Sequence, residues 1–209
     1  MILMAKAKIG IIAEDNSDID TLLEFIVRIT DVKFKKATYA SQGCGKLMRK
    51  CQKVSKNWIS QKRVTHIIIC HDLDRKRYKE LYNELHGKIS ALPNCNEVFC
   101  IVIPIEEMEA WFLSDSEMLN RKYPGINIKE ISHPEKIKSP KEYIERKSRD
   151  KCKPRYLYTT ANPELAKIID IPKIQKKCPE FKKFHDFVSK IGKKKTKKRK
   201  KRLTAIETH

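Results

Sequence analysis

The chain has 209 residues, 40% of them hydrophobic, with 46 Lys+Arg against 26 Asp+Glu for a formal net charge of +20. That length holds one domain with a hydrophobic core, without disulfides or metals to prop it. The apolar fraction excludes a wholly disordered basic protein, and the charge favours a polyanion as partner over an anionic membrane surface.

In chain order, Lys8–Ala13 reads as an inner strand, and Glu14–Asp18 is a polar break in which Asn16 or Ser17 can cap the next helix. Ile19, Leu22, Leu23, Ile26 and Val27 recur at helical spacing, which predicts a helix over 18–29. A second strand is expected over Val32–Tyr39, a turn at Ser41–Gly45, and then a helix with Leu47, Met48, Cys51 and Val54 on one side. His66–Cys70 is the clearest buried strand and runs straight into His71-Asp72-Leu73-Asp74-Arg75. Tyr78, Leu81, Tyr82, Leu85 and Ile89 mark the next helix, and Val98–Ile103 the fourth strand. Strands alternating with helices predict an α/β fold: a mostly parallel, four-stranded, Rossmann-like sheet flanked by helices. Beyond it, prolines divide the chain into short pieces, with helices expected at Lys141–Arg149, Pro163–Ile169 and Glu180–Ser189. Residues 1–115 thus form the α/β core, 116–189 a helical extension packed on it, and 190–209 a disordered tail.

The charge is unevenly divided. Ten Lys or Arg between 190 and 202, against the single acid Glu207, put +9 on the tail and leave +11 on the first 189 residues. Such a run gives phosphate contact without sequence choice, and it draws on Lys193, Lys194, Lys195, Lys197, Lys198, Arg199, Lys200, Lys201 and Arg202. No stretch reaches the roughly 18 apolar residues of a membrane span. The first residues lack a signal peptide's apolar run, so the cytoplasm is the expected compartment. Seven cysteines at irregular spacing fit neither a disulfide framework nor a zinc site.

The scarce acids gather at strand ends. Glu14 and Asp15 follow the first strand, Asp72 and Asp74 the third, and Glu106, Glu107 and Glu109 the fourth. Open parallel sheets bind ligands beyond the carboxyl ends of their strands. Crowded carboxylates repel one another unless a cation or protons compensate, and hard oxygen donors suit Mg²⁺ or Mn²⁺. In extended backbone Asp72 and Asp74 point to one side, within reach of one ion or two neighbouring ions. The competing reading makes these acids turn residues and helix caps. His71 could orient a phosphate or carry a proton. Lys46, Arg75 and Lys76 suit a basic rim around a nucleic-acid backbone. Trp58, Trp111, Tyr156 and Tyr158 are possible stacking rings, with Trp111 better placed in the core.

Glu14 after a first strand and Asp72-Leu73-Asp74 after a later one resemble the Toprim domain of topoisomerases, bacterial primases and the nucleases of overcoming-lysogenization-defect ATPases. The segment Pro104-Ile-Glu106-Glu107-Met-Glu109-Ala110-Trp111-Phe-Leu-Ser-Asp115 resembles a narrower Toprim-like family, domain of unknown function 4276. Pro140-Lys141, Leu165–Asp170 and Cys178–Phe181 are similar as well, so the resemblance runs from about residue 8 to 189. It implies that Glu14 acts as general acid or base and as metal ligand, with Asp72 and Asp74 as the metal-holding pair. Glu106 and Glu109, three apart on a helical turn, would face the same site, while Glu107 turns to the surface or to a salt bridge. Asp15 stands where the Toprim glutamate is often followed by glycine, and so could assist or replace Glu14. The implied activity is a metal-dependent nuclease on DNA or RNA, in anti-phage defence beside a separate ATPase, with Glu14, Asp72, Asp74 and Glu109 on the metal. A homodimer would let two surfaces grip a duplex. The alternatives are a non-catalytic nucleic-acid-binding or scaffold protein, and a phosphoryl-transfer enzyme on small substrates.

Overall fold

The computed structural model describes residues 7–31 and 33–204, with side chains through Ile191. The basic side chains from Lys193 to Arg202 therefore lie outside the described side chains. Strands β1 (Lys8–Ala13), β2 (Lys35–Ala40), β3 (His66–Cys70) and β4 (Phe99–Val102) pair in the order β2-β1-β3-β4. Every pairing is parallel. The fold is α/β and Rossmann-like, as the alternation of elements predicts.

Side chains alternate across the sheet, and both faces are dry. Ile9, Ile11, Ala13, Ile68, Cys70, Cys100 and Val102 enter one core, while Ile12, Ile67, Ile69, Phe99 and Ile101 enter the other. Helices α2 (Cys44–Ser60) and α3 (Tyr78–Ile89) cover the second face through Leu47, Cys51, Trp58, Leu81, Leu85 and Ile89. Gly10 is required there: a Cβ on it would come within 2.5 Å of the Trp58 ring. A short helix, α4 (Cys95–Val98), leads into β4.

Helix α1 (Asn16–Thr30) lies on the first face, and the second half of the chain closes around it. That half contains α5 (Glu109–Phe112), α6 (Ser116–Lys122), α7 (Pro140–Ser148), α8 (Tyr158–Ile168), α9 (Ile171–Lys177) and α10 (Pro179–Thr204). Trp111 packs edge-on to Phe25 of α1 at 6.1 Å and to Phe181 of α10 at 5.1 Å between ring centroids. Arg28 donates to the Ala166 carbonyl at 2.7 Å and Ser17 to the Tyr158 carbonyl at 3.1 Å, tying α1 to α8.

Several boundaries differ from expectation. Asp15, not Asn16 or Ser17, caps α1 by accepting from the Asp18 N–H at 3.0 Å. The second strand begins at Lys35, and Val32 lies outside the described residues. Helix α8 starts at Tyr158 and carries Pro163 inside it. Pro163 is its sixth residue, so the helix forgoes one interior hydrogen bond there and the proline does not mark its start. Helix α10 continues to Thr204 through the segment expected to be disordered, since lysine and arginine are good helix formers. Residues 205–209 lie outside the described residues.

Candidate active site

Parallel register builds the site. Ile12 pairs with Ile69, so two residues further on Glu14 stands opposite His71. The β3–β4 ladder continues past both strands: the His71 N–H donates to Val102 O at 3.1 Å, Leu73 N–H to Pro104 O at 3.1 Å and Asp74 N–H to Glu106 O at 3.3 Å. From β1 the chain enters α1 on one face of the sheet, and from β3 it enters α3 on the other. The strand ends therefore splay around a crevice between β1 and β3, the switch point where open α/β sheets bind ligands.

Acids from four places converge in it. Asp72 keeps some surface open to solvent, yet protein surrounds it closely. Burial, then the charges of Asp18, Glu109 and Glu14, push its carboxyl well above the usual range. Burial and the neighbouring Asp15, Glu109 and Glu14 raise Asp18 to about 8. Burial also raises Glu14, with Asp74 and Asp15 adding to it. One Glu14 oxygen, Oε1, is buried and accepts no hydrogen bond. Glu109 is only 2% exposed, and burial raises it against the opposing pull of Lys141 and Asn162.

The helical half supplies what steadies this cluster. Asn162 of α8 donates to Glu109 Oε1 at 3.0 Å, and the Tyr156 hydroxyl donates to Asn162 Oδ1. All three residues are buried. Lys141, in the first turn of α7, is the cation among the acids. Burial alone would lower its pKa, but Glu109, Glu107 and Asp72 outweigh that and raise it. Its ammonium lies 3.7 Å from Glu107 Oε1 and 4.4 Å above the Tyr158 ring, while its N–H donates to Glu107 Oε2 at 3.0 Å.

Over residues 13–189 the chain matches the family described as Domain of unknown function (DUF4276). It belongs to that family. No curated protein and no solved structure matches it. The matched span takes in every group of the crevice and ends before the basic tail.

Of the acids singled out in this DUF4276 sequence, Glu14, Asp72 and Glu109 come together. Asp74 lies at the rim, exposed and in left-handed backbone (φ 49°), near enough to raise Glu14. The extended geometry that would aim Asp72 and Asp74 alike stops at this turn. Glu106 also has positive φ (60°) and precedes the helix, which begins at Glu109; the two do not share a helical turn. Glu106 instead faces Arg75, Lys76 and Lys138 in a surface depression. Glu107 makes the expected salt bridge. Asp15 spends its carboxylate on the α1 cap.

His71 is fully buried, with Nδ1 2.6 Å from the Asp72 carbonyl and 3.4 Å from Glu14 Oε1. Burial lowers its pKa, so the neutral ring holds its proton on Nδ1 toward that carbonyl and leaves Nε2 without a partner. Arg75, Lys76 and Lys46 are exposed, Lys46 in the first turn of α2. Trp58, Trp111 and Tyr156 are buried and cannot stack bases, and Tyr158 lies under Lys141. Sequence reasoning missed Asp18, Lys141 and Asn162. The four-residue interval from Glu14 to Asp18 was a signal for the first, since the chain turns into a helix between them.

Among the described residues, no three His, Cys, Asp or Glu side chains stand ready-made in metal-holding geometry. The donors are nevertheless right in kind for a hard divalent cation: carboxylate oxygens only, one of them buried and unpartnered.

Proposed function

We propose that this DUF4276 protein is a Mg²⁺- or Mn²⁺-dependent phosphodiesterase, a nuclease acting on DNA or RNA. The observation that carries this reading is the crowding of Glu14, Asp18, Asp72 and Glu109 into one crevice of a protein of charge +20. Carboxylates so placed ionise fully only beside a cation. Glu14, Asp72, Glu109 and Asp18, with Asp74 at the rim, would hold it. Such an ion supplies an activated water and stabilises charge developing on a scissile phosphate.

The chain's own residues do the rest. Lys141, fixed by Glu107 and the Tyr158 ring, presents a permanent positive charge to a phosphate oxygen beside the acids. Asn162 keeps Glu109 from swinging out of the crevice. Arg75 and Lys76 hold the nucleic-acid backbone at the mouth, and the basic residues beyond 190 add affinity without choice of sequence. The Toprim resemblance supports the same chemistry. A role in anti-phage defence and a separate ATPase partner belong to this reading by resemblance; a cytoplasmic location rests on first residues without a signal peptide's apolar run, and a homodimer on the grip that two such surfaces would give on a duplex. Among the described residues, no helix is long and apolar enough to cross a membrane.

One observation favours a non-catalytic nucleic-acid-binding protein instead: Lys141 already compensates Asp72 and Glu109 from within. Incubating single- and double-stranded DNA and RNA with Mg²⁺ or Mn²⁺ separates the two. The nuclease reading requires cleavage that Asp72→Asn abolishes while binding persists. Wild-type protein that binds these substrates and leaves every one intact supports the second reading.

A further inference from the structure

Helix α3 carries two stripes. Leu81, Leu85 and Ile89 are buried against the sheet. Three residues before each of them stand Tyr78, Tyr82 and His86, in file along the outside. The first two rings lie 6.2 Å apart and within 15° of parallel, and the next two 5.9 Å apart and within 12°. Tyr82 is 37% exposed. Tyr78 is anchored at the α10 side: its hydroxyl donates to Glu180 at 3.0 Å, and the Lys183 ammonium lies 5.0 Å from its ring centroid.

The file begins where the crevice ends. Exposed Arg75, Lys76 and Arg77 connect the turn at Asp74 to Tyr78, and exposed Lys79 follows. At a helical rise of about 1.5 Å per residue, His86 lies about 12 Å further along the axis than Tyr78. Glu80 and Glu84, the acids of this helix, point about 160° round from Tyr82 at the helical turn of about 100° per residue. The aromatic face thus carries cations at its crevice end and no acid of its own helix. Its rings step by more than the ~3.4 Å that separates stacked bases along one strand of a duplex. The spacing suits bases splayed from a strand, and a flat π-face accepts any base.

We propose that Tyr78, Tyr82 and His86 form a stacking track for an unpaired nucleic-acid strand entering or leaving the acidic crevice. This rests on the nucleic-acid reading above and adds to it that the strand is single where it crosses α3. Arg75 and Lys76 take its phosphates, Arg77 being paired with Glu80 at 3.1 Å, and Tyr82, the most exposed of the three rings, gives the largest stacking contribution.

The test is equilibrium binding of the full chain, in EDTA, to three labelled oligonucleotides of equal length: a single strand, the same strand made abasic, and a duplex. The single strand should bind more tightly than the abasic one. Tyr82→Ala should weaken single-strand binding roughly tenfold, the low-to-middle range for one base–aromatic stack, and leave the abasic strand and duplex unchanged. Tyr82→Phe should bind as wild type, and His86→Ala should show a smaller loss of the same selective kind. The track is overturned if Tyr82→Ala holds the single strand as tightly as wild type, or if folded Tyr82→Ala weakens all three ligands alike. Wild-type protein that binds none of the three overturns the nucleic-acid reading itself, and the track with it.

Discussion

Asp72 cannot ionise freely beside Asp18, Glu109 and Glu14, and the stability of the metal-free protein inherits that conflict. In the unfolded chain these carboxyls release their protons near pH 4. In the fold they hold them longer, Asp18 up to about 8. The folded state therefore binds more protons across this interval, and its stability falls as pH rises through it. In EDTA the thermal midpoint should drop by several degrees from about pH 5 to about pH 8. Asp72→Asn should flatten that slope and raise the midpoint at the alkaline end; a slope unchanged by the substitution would contradict the clustering. Glu14, Asp72 and Glu109 were legible because each follows an apolar strand that had to be buried. Asp18 left only its four-residue spacing from Glu14 as a sign, since an acid in a first helical turn is otherwise explained by the capping box. Lys141 is one of 46 bases, and only the fold singles it out. Asp74 and Glu106 stand further out than expected because positive φ at a non-glycine residue leaves no mark in the sequence.

At the scale of elements, the alternation of apolar runs with amphipathic ones was enough to place four strands and the three principal helices between them. The small helices α6 and α9 escaped notice, since seven residues give too few turns for a periodic stripe. The same stripe logic grouped Tyr78 and Tyr82 with Leu81 and Leu85, whereas the helix separates them onto an outer and an inner face. Packing of α2 on β1 turns on the missing side chain of Gly10. Gly10→Ala drives a methyl to 2.5 Å from the Trp58 ring and should cost about 1–3 kcal/mol in chemical denaturation. Adding Trp58→Leu should recover part of the loss, because the smaller side chain makes room. A Gly10→Ala protein as stable as wild type would show that the indole moves aside freely.

For the whole molecule, the helical half is the cover of one sheet face. Ile9, Ile11, Ile68 and Val102 share one core with Leu165, Phe181 and Phe184. A fragment ending at Asp115 would keep only α1 over that face and open much of it, with the inner side of α1, to water, more apolar surface than a monomer tolerates. It should aggregate or give a collapsed, poorly dispersed NMR spectrum, and a well-dispersed one would show that the sheet stands alone. Sequence reading found this half helical and packed on the core but not which sheet face it covers, because its partners on the strands lie far away in the chain.

The reach of Asn162 back to Glu109 has a bearing on how the protein is made. During synthesis Glu14, Asp72 and Glu109 leave the ribosome first, but the amide that holds the last of them arrives more than fifty residues later. A nascent chain, or one cut short by premature termination, carries the acids without their brace. The brace on Glu109 thus forms only once α8 has been made, whatever the state of the strands that carry the other acids.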